Sequence, residues 1–197
     1  MTTPVVPTGL QAPYATVAQY RSQVNKIDDA SDDDIVLDLL AVSRYIDKKT
    51  GRFFNHDEDP VTRTYLCRGD TTLWIDDVCE PPLVEIVSGS DLVEVTAYRL
   101  WPAGADLKPE PEPWQALLLS SPQLGVEYSV TARRGWSAVP YPVNRGTIEI
   151  TAIWRLESPR ATSRVNELDE VIGTSPLANK LVYSLVHQFS RKKWVFA

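Results

Sequence analysis

The segment from Ser31 to Phe54 constrains the fold most, because it specifies a helix at both ends and an aromatic anchor behind it. Ser31 is placed to accept the free N–H of Asp34, and Asp32, Asp33 and Asp34 sit at the positive end of the helix dipole. Lys48 and Lys49 sit at the negative end, and Gly51 closes the helix. Between them Ile35, Leu39, Val42 and Ile46 recur at three- or four-residue spacing, which demands one buried apolar stripe. Arg52, Phe53 and Phe54 follow at once.

With 197 residues, 43% of them hydrophobic, the chain can form one domain or two small ones without disulfides or metals. No stretch approaches the ~20 apolar residues of a membrane span, and Met1-Thr2-Thr3-Pro4 lacks the basic and apolar regions of a signal peptide. Folding in a cytoplasm, with no membrane partner, is the expectation. Cys67 and Cys79 are too few and too widely spaced for a zinc site and read as apolar thiols in a reducing compartment. A net charge of −6 opposes wrapping a nucleic acid, which needs a basic surface to displace counterions. It is compatible with a channel through which DNA slides without sticking.

The first thirteen residues, with Pro4, Pro7, Gly9 and Pro13, read as an extended arm. Thr16 and Gln19 form a capping box, and Val17, Tyr20 and Val24 share one face of a short helix ending near Lys26, before Asp28-Asp29-Ala30 turns the chain. From Val61 to Val139 the texture becomes short alternating runs, the mark of an antiparallel β unit. Strands are predicted at Thr62 to Cys67, Thr72 to Ile75, Leu83 to Val87, Val93 to Leu100, Gln115 to Leu119 and Tyr128 to Arg133, with Gly69-Asp70 as a hairpin turn between the first two. Pro109-Glu110-Pro111-Glu112-Pro113 reads as a stiff exposed loop.

Residues 147–152, Thr-Ile-Glu-Ile-Thr-Ala, alternate like a strand rich in β-branched residues. The same region fits a helix, with Pro142 at its first position and Val143, Thr147, Ile150 and Trp154 as a stripe, so the residues leave both states open. Further on, Ser175-Pro176 marks a helix start, Leu177, Leu181, Leu185 and Phe189 form a stripe, and Arg191, Lys192 and Lys193 suit the C-terminal dipole.

Catalytic and metal patterns are weak. His56 and His187 are the only histidines, and neither lies in a recurring nucleophile or base pattern. Asp57-Glu58-Asp59 and Asp76-Asp77 lack the glycine-centred loop of a calcium site and read as solvated or turn-forming acids, and no glycine loop is available to cradle phosphate. Arg133-Arg134 before Gly135-Trp136 reads as a strand edge kept soluble by charge. Trp194, Val195 and Phe196 beyond the basic helix end are large apolar groups that suit a partner.

The order of these parts resembles the head-to-tail adaptor (connector, or head completion) family of long-tailed phages and related gene transfer particles. The similarity rests on the helix from Ser31 to Gly51 with Arg52-Phe53-Phe54, on Pro60-Val61-Thr62-Arg63, and on Gly135-Trp136-Ser137-Ala138-Val139-Pro140 leading to Trp154-Arg155-Leu156-Glu157-Ser158-Pro159. The resemblance implies a helical core with a β insertion between its second and third helices, and it places Val143 to Leu156 in the third helix. This chain departs from the compact pattern in the size of its β unit and in the loop from Arg160 to Thr174.

The resemblance also implies a non-catalytic, cofactor-free virion protein, assembled in the host cytoplasm. Its copies form a ring, usually of twelve, under the portal protein, which extends the DNA channel toward a downstream neck or tail completion protein. A C-terminal segment commonly reaches the portal, which makes Arg191, Lys192, Lys193, Trp194, Val195 and Phe196 the expected contact.

The expected architecture is therefore α+β: a bundle of about four helices with an inserted antiparallel sheet or sandwich, divided at 1–60, 61–139 and 140–197. A β-sandwich binding module for carbohydrate or a receptor is the competing reading, with Trp74, Trp101, Trp114 and Trp136 as a stacking platform.

Overall fold

The computed structural model describes residues 12–24, 30–88, 91–108, 112–157 and 175–190. The chain divides into two compact units, one from Met1–Phe54 and Val139–Ala197, the other from Asn55–Ala138. Helices build the first and strands the second, so the class is α+β. The loop from Arg160 to Thr174, Lys26, most of the proline-bearing arm and Pro109 to Pro111 lie outside the described residues.

In the helical unit, α1 (Val17–Gln23) opens with the reciprocal cap of Thr16 and Gln19. Helix α2 (Asp32–Thr50) starts where the Ser31 hydroxyl accepts the Asp34 N–H at 3.2 Å and stops at Gly51, whose φ of 66° is left-handed. Ile35, Leu39, Val42 and Ile46 are all buried. Ile35 and Leu39 join Ala15, Tyr20 and Ile148 in one apolar cluster.

Helix α3 (Tyr141–Glu157) settles the ambiguous segment as helix. It begins one residue earlier than predicted, so Pro142 occupies its second position, and the Pro140 carbonyl accepts the N–H of Val143 and of Asn144 at 3.0 Å each. The strand-like alternation has a helical explanation. Thr147 and Thr151 are buried beside Ile148 and Ile150, and each threonine hydroxyl donates to the carbonyl four residues back at 2.8 Å, so the helix buries polar side chains without leaving them unpaired. Glu149 meets Arg145 one turn earlier at 2.7 Å.

Helix α4 (Pro176–Phe189) has Pro176 at its start, but the Ser175 side chain makes no capping bond. Its buried face is Ala178, Val182, Leu185 and Phe189, whereas Leu177 is exposed and Leu181 half-buried, so half of the predicted stripe is corrected. This face packs closely on α3, where a β-carbon at Gly146 would lie 2.8 Å from Leu185 Cδ1. Helices α2, α3 and α4 pack pairwise, and α1 rests on α2 and α3.

The β unit holds two antiparallel sheets. Strands β1 (Val61–Leu66), β7 (Glu127–Ala132), β3 (Leu83–Ser88) and β4 (Asp91–Glu94) form one in that order, and β2 (Thr72–Val78), β6 (Trp114–Leu119) and β5 (Tyr98–Trp101) form the other. Both sheets contribute to one core, in which Leu73, Ile75 and Leu117 meet Val84, Tyr128 and Val130. Two expectations fail here. Gly69-Asp70 does not turn a hairpin, because β1 pairs with β7 and β2 with β6; Gly69, at φ 89°, instead carries the chain from one sheet to the other. Val93 to Leu100 is not one strand either: β4 and β5 belong to different sheets, and the chain crosses between them at Val95-Thr96-Ala97. Alternation alone reports burial on one face, and a chain that changes sheets keeps burying one face.

Candidate interaction surfaces

The Thr-Gly-Arg-Phe-Phe run after α2 organises one end of the helical unit. Phe54 is fully buried, edge-on to Tyr14 at 5.6 Å and to Phe189 at 5.3 Å between ring centroids. The Arg52 guanidinium donates to the Phe189 carbonyl at 3.4 Å, so this run fixes the last turn of α4. Beyond it, the expected portal contact at Arg191, Lys192, Lys193, Trp194, Val195 and Phe196 lies outside the described residues.

Tyr14 is the second anchor, and it is one that the sequence reading missed. Its N–H donates to Ser43 Oγ at 3.0 Å, its carbonyl accepts Asn144 Nδ2 at 2.6 Å, and its hydroxyl donates to Asp47 while accepting the Phe54 N–H at 2.9 Å. Arg44 lies 5.3 Å over both the Tyr14 and the Phe53 rings and pairs with Asp47 at 3.2 Å. Burial raises the Asp47 carboxyl to about 6, against the lowering effects of the Tyr14 hydrogen bond and the Arg44 charge; burial also pushes the Tyr14 phenol far up. The available signal was a single tyrosine directly after Pro13, ahead of a capped helix.

None of the polar groups weighed for chemistry converges on a reaction centre. His56 is exposed, with its backbone bridged to Gly135, and His187 is exposed and stacked on Tyr183 at 6.3 Å. Asp57 pairs with Arg134 at 2.7 Å, and Asp76 receives Arg63 and the Tyr65 hydroxyl. Among the described residues no cluster of three His, Cys, Asp or Glu side chains could hold a metal, and no helix is long and apolar enough to cross a membrane.

Arg133 faces Glu80 at 3.8 Å, so both arginines of the Arg133-Arg134 pair have acidic partners. The four-tryptophan platform does not form. Trp114 and Trp136 are buried, and only Trp74 and Trp101 meet on a surface, edge to face at 5.7 Å. These two flank Ala116 across β2, β6 and β5, and Ala116 is fully buried.

The Gly135-Trp136 motif is structural. Gly135 has φ 104°, and a β-carbon there would overlap the Asn55 carbonyl oxygen. The strand around it is held from both sides: Trp136 N–H donates to Asn55 O at 3.0 Å and Gly135 N–H to Asp77 O at 2.7 Å. Both edges of the four-stranded sheet carry exposed apolar side chains. Leu66 on β1 is 58% exposed, and Leu92 and Val93 on β4 are 55% and 54% exposed.

No protein family matched the sequence, and no curated protein did. A solved structure did match, a chain from the neck of an empty GTA particle computed with C6 symmetry. The TM-score is 0.57 at 16% identity, and the match covers 100% of this chain and 99% of that one. The fold is shared with a particle-neck chain. Because the match runs end to end, it includes the β unit as well as the helices.

Proposed function

We propose that this protein is a structural neck component of a phage-like particle, a head-to-tail adaptor whose copies form a ring beneath a portal protein. The observation that carries the reading is the end-to-end likeness to a chain of a particle neck. The burial of Trp114 and Trp136 weighs against a carbohydrate platform. In this reading the ring, of about twelve copies as the family resemblance implies, extends the DNA channel toward a downstream tail completion protein. The net charge of −6 suits a lumen that releases the phosphate backbone.

Residues 191–196 are proposed as the portal contact. Aromatic anchors cost ~2 kcal/mol or more when truncated, and a ring multiplies the loss over every copy. The test is to mix the protein with portal-bearing heads and image the vertex by electron microscopy. The full chain should form a ring at the vertex, and the variant lacking residues 191–197 should fold but fail to attach. A full-length protein that stays monomeric beside saturating portal-bearing heads would overturn the adaptor role. Undiminished attachment by the truncated chain would move the contact elsewhere, with the arm from Met1 to Pro13 the next place to look.

A further inference from the structure

The four-stranded sheet ends in two unlike edges, β1 and β4, and among the described residues no strand pairs with either. The sheet is antiparallel throughout, so with four strands its two edges run in opposite directions. A second copy placed beside the first in the same orientation therefore sets its β1 antiparallel to the first copy's β4. That is the pairing an antiparallel sheet continues with.

Backbone polarity fixes which residues would meet. Val95 donates its N–H to Val84 O at 2.8 Å and Cys67 its N–H to Val126 O at 2.9 Å, both toward the interior of the sheet. In a ladder alternate residues turn their N–H and C=O to opposite sides, so Leu92 and Glu94 on β4, and Thr64 and Leu66 on β1, point theirs at the open edges. Across the sheet Thr64, Ser129, Glu85 and Glu94 already form one row. Continuing that row without offset brings Glu94 opposite Thr64 of the next copy and Leu92 opposite Leu66. Both pairs join edge-pointing residues, and the second joins the two most exposed leucines of the edges.

From this we infer that β4 of one copy pairs antiparallel with β1 of the next, Leu92 against Leu66, so that the sheets join head to tail into a belt. The inference rests on the ring proposed above and adds the surface that closes it. Unlike edges make a heterologous contact, which is the kind that generates rings.

The test is a double variant, Leu66→Cys with Leu92→Cys, assembled on portal-bearing heads and mildly oxidised. Non-reducing electrophoresis should give a ladder of linked copies, which each single variant should not give. A second variant, Thr64→Pro, removes one edge-pointing N–H while sparing the ladder to β7. It should lower ring yield at least tenfold with unchanged circular dichroism. Rings at normal yield, without a ladder and indifferent to Thr64→Pro, would overturn the edge pairing and leave the ring intact. Absence of rings from the unmodified protein would remove both.

Discussion

Asp47 carries a cost at neutral pH that acid relieves. Its carboxyl titrates near 6 in the folded protein against about 3.8 in the unfolded chain, so the native state binds more protons between those values. Stability therefore falls as pH rises from about 4 to 6 and stays lower above, a contribution of at most about 3 kcal/mol. Chemical denaturation at pH 5 and pH 7 checks this. Asp47→Asn keeps an acceptor for Tyr14 and should flatten that part of the profile, and an unchanged pH dependence in the variant would contradict the assignment. At Gly135 the constraint is steric: Gly135→Ala forces a side chain into left-handed backbone and into the Asn55 carbonyl, and should cost about 3 kcal/mol or more in thermal unfolding. Both sites show the reach of sequence at this scale. Gly135 stood in a recognisable motif, whereas the four contacts of Tyr14 join residues from Ser43 to Asn144 and leave no local pattern.

Capped helices were the most legible elements. The Thr16–Gln19 box, the Ser31 cap and Gly51 all operate through bonds within four residues, so the sequence carries the whole cause. Sheet partners depend on residues far apart, and the assumed hairpin at Gly69-Asp70 was wrong for that reason. In α4 Ala178 and Val182 are buried in place of Leu177 and Leu181, because packing on α2 and α3 decides which face turns inward, and Leu185 of that face lies against Gly146 of α3. That contact predicts a reversal of sign. Gly146→Ala gains about 1 kcal/mol of helix propensity but drives a methyl against Leu185, so in the natural sequence it should destabilise. Once Leu185→Ala has opened the space, itself costing about 2–5 kcal/mol, adding Gly146→Ala should stabilise. A double-mutant cycle by urea denaturation reads the coupling, and additive effects would show that α3 and α4 do not meet there as described.

At the scale of the molecule, the change from helical to alternating texture near Val61 and back near Pro140 foretold a mixed architecture, since periodicity is a local property. Which edges stay open was not foretold, because exposure depends on strand order. Each unit has its own apolar core, so replacing Asn55–Ala138 with a short flexible linker should leave a helical protein that unfolds cooperatively. A molten product, with helical circular dichroism but no sharp transition, would contradict that independence.

The clasp between Asn55 and Trp136 also bears on how fast the chain folds. Helices α2 and α3 meet only after about 90 intervening residues are looped out, and closing such a loop in a disordered chain costs about 4 kcal/mol of entropy. A β unit that folds first has already brought positions 55 and 136 within a hydrogen bond of each other, at 3.0 Å, so the bundle closes as though the connection were short. The clasp thereby lowers the chain-closure cost of pairing α2 with α3.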